Sequence, residues 1–372
     1  MTVAGAPRPD AEGPAIEWSG PDTAADDFEG PVTHRQVAEL AALCDLLAAW
    51  VAAPPARPPL WQEADWRRFR VAAGVHGVAP LLGRRLGGEA GWQGSAAGDW
   101  LGDQYAANCR RVERLHLELR AVLARFAAAG VPLMPLKGAL LGVLCYADPG
   151  ERPMADLDLL VHRRDLDRAV ALLGELGYEE VSGGRKHLKL ARAAAREIVD
   201  AGREHPDNPR WIELHPACCE WLDDEQVELT DCIWATASEA WLLGEPAWLP
   251  GPSAHWIYLL VHGSHHILIN RFRLVQLLDL LRLEPHLPAG DVPGALLTTL
   301  ASPEVPAAIL RAVYPPLALL ERYFPADAAD ASGRGGLRRA MRERLAPGFA
   351  AWADDLDLYH ACYLHPAPWR PQ

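Results

Sequence analysis

Basic residues are in short supply. The 372-residue chain sets 36 lysines and arginines against 49 aspartates and glutamates, a formal net charge of −13. This argues against a broad basic surface and makes an extended nucleic acid the weakest partner class, although one local basic groove could sit within an acidic whole. Cysteine is sparse and irregular. Seven residues without regular spacing do not make a disulfide framework, and adjacent Cys218 and Cys219 cannot easily bridge to one another, so a reducing cytoplasm is the expected compartment. No run approaches the roughly 18 to 20 apolar residues that a bilayer span requires; the nearest is the short WIYLLV beginning at Trp256. A protein without a membrane segment is expected. The N-terminus, MTVAGAPRPDAEGPAIEWSGPDTAADDFEG, lacks the basic start and apolar core of a signal peptide and predicts a disordered tail over residues 1–30. No repeat of fixed period is visible.

Half of the residues are hydrophobic, which at this length permits a substantial core. From Thr33, RQVAELAALCDLLAAW spaces Val37, Leu40, Leu43, Leu46 and Leu47 by threes and fours, an amphipathic helix ended by Pro54 and Pro55. Helices over Trp61 to Ala73 and Ala79 to Leu86 flank a VHGV turn, and a long helix runs from about Asp99 to Gly130. The segment 31–129 is thus an N-terminal helical region. Over 130–220 the pattern breaks into short apolar runs separated by Gly and Pro. Strands are expected at Val131 to Leu136, Asp156 to Val161, Tyr178 to Val181, His187 to Leu190 and Arg210 to His215. Helices are expected at Gly138 to Tyr146 and after Asp165 as far as Gly177, and a helix and polar loop after Ala191. From 221 to 372 the chain is expected to return to helices, including Ser253 to Val261 and Ser264 to Leu283. A cap bearing Trp352, Tyr359, Tyr363 and Trp369 closes this region. The tryptophans fall mostly at apolar helical positions and are assigned to the core. The fold class is α+β, a small mixed sheet flanked by N-terminal and C-terminal helical regions.

The stretch from Met134 to Val161, MPLKGALLGVLCYADPGERPMADLDLLV, concentrates the chemistry. Side chains alternate faces along a strand, so Asp156 and Asp158 share one face while Leu157, Leu159 and Val161 occupy the buried one. Neighbouring carboxylates repel unless a cation lies between them, and hard oxygen ligands suit Mg²⁺ or Mn²⁺, which also bind substrate phosphates. The same period puts Trp211, Glu213 and His215 on one face of RWIELH, making Glu213 a candidate third carboxylate. Upstream, the glycine of Lys137-Gly138 sits at a strand-to-helix turn, where backbone amides can approach a phosphate and Lys137 adds a positive charge. Arg152 could neutralise a triphosphate. The plainer readings are a solvated strand edge for the aspartates and a surface arginine for Arg152.

The order LKGALL, a tyrosine and a loop with Arg152, DLDLLV, a helix ending in GY, and IELH resembles the uncharacterised nucleotidyltransferase family of the polymerase-β-like superfamily. VHGVAPLL and HGSHH with RLVQLLDL resemble that family's flanks, so the likeness spans about residues 35 to 285. It implies a minimal nucleotidyltransferase fold, a divalent metal on Asp156 and Asp158 with Glu213 in the third acidic place, a phosphate-binding turn at Lys137 and Gly138, and a nucleoside triphosphate donor, with ATP favoured. The wider superfamily carries Gly-Ser at that turn, whereas Gly138 is followed by Ala139; the spacing to the aspartates is longer, and the third acid is Glu. The expected reaction transfers a nucleoside monophosphate to a hydroxyl of a small-molecule or peptide/protein acceptor and releases pyrophosphate. The alternatives are a catalytically degenerate nucleotide- or partner-binding protein and a phosphotransferase that moves the γ-phosphate.

Two further clusters bear on the acceptor. His262 and His266, at i and i+4 with His265 beside them, could ligate zinc, but Gly263 and Ser264 after His262 exclude an H-E-x-x-H motif. The favoured reading places His262, His266, Arg273 and Asp279, with His215, around an acceptor or base pocket; satisfied interhelical hydrogen bonds are the plain alternative. Cys218 and Cys219 have no C-x-x-C spacing and are read as buried small hydrophobes.

Overall fold

The computed structural model describes residues 34–184, 186–193, 205–223, 225–287, 306–326 and 333–363. The tail expected over 1–30, most of the segment expected to turn helical after Ala191, and Trp369 lie outside the described residues.

Three helices open the chain: α1 (His34–Ala52), α2 (Glu63–Val75) and α3 (Ala79–Leu86). The helix forms where the three-and-four spacing predicts it, but its buried stripe is Cys44, Leu47, Ala48 and Val51, with Leu40, Leu43 and Leu46 of the expected stripe only partly buried at its border. Between α2 and α3, Gly77 takes a left-handed φ of +67°. A Cβ there would come 3.1 Å from the Val275 side chain, so glycine lets this turn press against the later helix α9 (Leu274–Leu283). Helix α4 (Ala96–Ala129) spans 34 residues, with Ser95 Oγ accepting the Gly98 N–H at 3.1 Å and Gly130 left-handed at its end. At ~1.5 Å per residue it is about 50 Å long, enough to pack on both α3 and the sheet.

The sheet has strand order β1-β2-β5-β4-β3, from β1 (Met134–Pro135), β2 (Asp156–Leu160), β3 (Tyr178–Gly183), β4 (Leu188–Arg192) and β5 (Trp211–His215). Only the β2–β5 pair is parallel, so the sheet is mixed, as the sequence predicts. β1 is shorter than its apolar run because Pro135 has no N–H to donate to a ladder. The flanking backbone is still held, by Leu136 N–H to Asp158 O at 2.9 Å and Trp248 N–H to Leu133 O at 3.0 Å. Helix α5 (Lys137–Leu144) follows at once. Helix α6 (Leu166–Glu175) has Asp165 at its N-cap position without a side-chain cap bond, and the left-handed Gly177 follows its end.

One face of the sheet is apolar: Leu157, Leu159, Leu190, Ile212 and Leu214 join Leu115, Leu119, Val122 and Leu123 of α4 and Leu172 and Leu173 of α6 in a single core. The other face carries the polar residues of β2 and β5.

After Pro216 the chain does not return directly to helix. Two hairpins intervene, β6 (Cys219–Leu222) with β7 (Glu225–Glu228) and β8 (Ser238–Leu242) with β9 (Glu245–Leu249), separated by the short α7 (Thr230–Ala235). Leu243 and Gly244 both have positive φ, the requirement of a tight two-residue hairpin turn. The helices beyond are α8 (Pro252–Leu268) and α9, so the break falls at 269–273 rather than at Val261. Pro306 onward supplies Ala307–Tyr323, Arg334–Arg342, Pro347–Asp355 and Leu358–Tyr363, which pack with α1–α3, α8 and α9 in a second, helical core. Tyr359 is buried there, whereas Trp221 and Trp241 are exposed, so the core assignment of tryptophan does not extend to the hairpins.

Candidate active site

The parallel pairing of β2 and β5 puts Asp156 opposite Trp211 and Asp158 opposite Glu213. Asp156, Asp158, Glu213 and His215 therefore share the polar face. Their entry into the sheet is set from α4. The buried Arg111 guanidinium donates to five backbone carbonyls, those of Met154 (2.8 Å) and Ala155 (3.4 Å) just before β2, and those of His205 (3.1 Å), Asn208 (2.9 Å) and Pro209 (2.7 Å) just before β5.

The carboxylates are unequal. Lys137 Nζ donates to Asp158 Oδ1 at 2.7 Å and His215 Nε2 to the same oxygen at 2.9 Å. Burial pushes Asp158 up, but Lys137 and His215 outweigh it and hold the carboxyl well below the usual range. Asp156 has no hydrogen bond among the described residues. Burial, with Asp158 and Glu213 adding repulsion, pushes it up to about 7. Burial, then Asp158, raises Glu213 as well. Three carboxylates share this face; Lys137 hydrogen-bonds Asp158, and Lys186, Lys189 and Arg273 add positive charge around the other two, a setting of crowded oxygen ligands that fits a hard divalent cation.

Lys137 has φ +45°, uncommon for a residue with a side chain and costing about 1 kcal/mol. Its N–H donates to Nε2 of the buried His255 at 3.1 Å, and burial lowers that imidazole to about 4, leaving it neutral as an acceptor. Gly138 is required by a different neighbour from the one expected. A Cβ on it would lie 2.2 Å from Arg152 Nη1, so the glycine admits a guanidinium against the turn.

Arg152 and Asp279, each expected to face a ligand, face one another. Arg152 Nε and Nη2 donate to Asp279 Oδ1 and Oδ2 at 2.8 and 2.6 Å, and Tyr146 OH donates to Oδ1 at 2.8 Å. Both charges are buried, and a buried charge is stable only when paired and hydrogen-bonded. The exposed cation near the carboxylates is instead Arg273, at the N-cap of α9, which draws Asp156 downward. The remaining histidines of α8 lie apart from Asp279. His262 Nδ1 donates to the buried Glu220 at 2.7 Å, Lys186 Nζ donates to the same carboxylate at 2.6 Å, and the His266 ring lies 4.2 Å from that of His262, tilted by 54°. Burial lowers both imidazoles well below their ordinary range. Among the described residues His262, His265 and His266 do not form a metal-ligand set. Cys218 and Cys219 are free and buried, and burial raises both thiols.

Four residues escaped the sequence reading: Arg111, His255, His187 and Glu220. Only His187 had a local signal, in the strand starting at HLKL. The others are defined by contacts across the fold.

The site is thus a set of carboxylates on adjacent parallel strands, beside a strand-to-helix turn in a small mixed sheet. Residues 62–314 match the family described as uncharacterised nucleotidyltransferase, and the chain belongs to that family. Among solved structures it is similar to an antigenic nucleotidyltransferase-like protein from Paracoccidioides brasiliensis, at 16% identity and a TM-score of 0.35, over 63% of this chain and 93% of that one. No curated protein matches. Among the described residues no helix is long and apolar enough to cross a membrane.

Proposed function

We propose that the chain is a metal-dependent nucleotidyltransferase that moves a nucleoside monophosphate from a nucleoside triphosphate, ATP first among donors, to a hydroxyl of a small-molecule or peptide/protein acceptor, releasing pyrophosphate. The observation that carries this reading is the register of Asp158 against Glu213 with Asp156 two residues away on the same face. Asp156, Asp158 and Glu213 would hold Mg²⁺ or Mn²⁺. Such an ion supplies neutralisation of the triphosphate and polarisation of the phosphorus under attack.

The chain's own groups do the rest. Lys137 and the exposed Arg273 bind phosphate oxygens, with Arg273 in the place first assigned to Arg152. Glu213, opposite Asp158, would help hold a second ion, which would lower the pKa of the acceptor hydroxyl. His215 orients Asp158. His262 of α8, paired with Glu220 of β6, and His266 beside it line the acceptor side.

The test is incubation of the purified chain with Mg²⁺, each of ATP, GTP, CTP and UTP, and hydroxyl-bearing acceptors, reading pyrophosphate release and the acceptor's mass. Asp158→Asn should lower turnover by roughly a thousandfold, since several kcal/mol of charge stabilisation are removed, while circular dichroism stays unchanged. Equal turnover by Asp158→Asn and the parent chain would refute the reading. ADP in place of pyrophosphate would identify γ-phosphate transfer. The Lys137–Asp158 ion pair and the missing hydroxyl at Ala139 favour a second reading, nucleotide binding without turnover; calorimetric binding with no pyrophosphate across all donors would establish it.

A further inference from the structure

The polar face of the sheet carries one residue that the nucleotidyl chemistry leaves unused. His187 immediately precedes β4, whose register sets Leu188 opposite Leu214 and Lys189 opposite Glu213. It therefore stands beside His215, with ring centroids 5.1 Å apart. His187 Nε2 is 3.6 Å from Glu213 Oε1, His215 Nε2 is 3.9 Å from Glu213 Oε2, and ligand atoms of all three lie within 4.8 Å of one another. These separations exceed hydrogen-bond length. They are, however, the spacing of ligands around one ion, since a tetrahedron built on bonds of ~2.1 Å has edges of ~3.4 Å.

Hydrogen bonding within the protein engages His215 only through Nε2, toward Asp158. Nδ1 of His187 and Nδ1 of His215 are both buried without a partner.

We propose that His187, Glu213 and His215 form a cation site of mixed nitrogen and oxygen ligands beside the Asp156/Asp158 pair, taking a borderline divalent ion such as Mn²⁺, Co²⁺ or Zn²⁺ in preference to Mg²⁺. It shares Glu213 with the proposed catalytic carboxylates and so rests on reading that face as a cation site, but not on nucleotidyl transfer. The preference follows from ligand chemistry: Mg²⁺ takes oxygen ligands and dehydrates reluctantly, whereas imidazole suits transition ions. His215 Nε2 now donates to Asp158 at 2.9 Å. An ion on Nε2 replaces that bond, and the ring proton moves to Nδ1, whose lone pair is otherwise unused.

Mn²⁺ added to the purified full-length chain without nucleotide tests the site, with affinity from calorimetry and ligand nitrogen from pulsed electron paramagnetic resonance. The expected result is nitrogen coupling in the parent chain. In His187→Ala that coupling falls and Mn²⁺ binds roughly tenfold or more weakly, at least the loss seen when a group outside the ligand set is removed. Asp156→Asn should keep the coupling. His187 is half-buried at the end of a strand, so its variant should fold, which circular dichroism checks; the coupling in the parent chain is a second readout that needs no variant. Mn²⁺ bound without nitrogen coupling, or His187→Ala with parental affinity, overturns this site and leaves the carboxylate reading standing. No Mn²⁺ binding at all overturns both. Absent transfer with coupling retained overturns only the proposed function.

Discussion

Lys137 reaches Asp158 at 2.7 Å from a left-handed backbone position at the first residue of α5. The ammonium thus rests on a carboxylate that a divalent ion would also need. It acts as a built-in counter-cation that, under the proposed function, would have to yield toward incoming phosphate.

Lys137→Ala should therefore separate two affinities. Removing the competing charge should tighten Mg²⁺ binding in the absence of nucleotide by about tenfold, a heavily screened share of the ~4 kcal/mol expected for two unit charges 4 Å apart near a protein surface. Nucleoside triphosphate binding should weaken. Calorimetry with each ligand alone reads both, and weakening of both would show that Lys137 does not compete with the cation.

Asp156 gives a pH signature of unusual sign. Its carboxyl is pushed up to about 7, first by burial and then by Asp158 and Glu213, whereas an unfolded aspartate titrates near ~3.9. Between those values the folded chain keeps a proton that the unfolded chain has released. Metal-free stability from this group is thus lost, not gained, as pH rises from about 4 to about 7, by a few kcal/mol. Thermal unfolding in chelator at about pH 5 and pH 8 should show Asp156→Asn gaining relative to the parent chain at the higher pH. A difference that does not vary with pH contradicts the assignment.

The Arg152–Asp279 pair should behave as a buried two-point contact. Arg152→Met and Asp279→Leu should each destabilise by about 3–5 kcal/mol, because each strands the opposite charge, and the double variant should recover much of that loss. Urea unfolding of the four proteins closes the cycle; simple additivity would mean that the two charges are independently solvated.

Gly138→Ala tests why the turn carries glycine. The new methyl would lie 2.2 Å from Arg152 Nη1, and the predicted penalty is about 1–3 kcal/mol from overpacking. In an Arg152→Met background the penalty should shrink. If it persists there, the glycine serves the backbone or a ligand rather than the guanidinium.

The sequence disclosed what is periodic and local. Asp156 and Asp158 were visible because strand alternation alone puts them on one face, and α3 because a turn and an apolar stripe bound it on both sides. Long-range pairing was out of reach. Arg152 and Asp279 are 127 positions apart, and nothing in either neighbourhood tells a buried partner from a phosphate. Glu213 was placed on the right strand, but its register against Asp158 is a property of the sheet. The β8–β9 hairpin is not announced in the sequence because its turn is Leu243-Gly244, without the usual Asn-Gly or Asp-Gly; in β6–β7 the turn begins at Asp223, which is not followed by glycine. His187 lay in a run read only for its strand; its chemistry emerged when β4 paired with β5.

Arg111 gathers the last carbonyls before β2 and before β5 onto a single guanidinium. It works as a jig: both carboxylate strands are indexed from one fixed point on α4, close to where each enters the sheet. The alignment of Glu213 with Asp158 is therefore held from outside the sheet as well as by the ladder between the two strands, so loosening the guanidinium would blur the spacing of the acids without touching either of them.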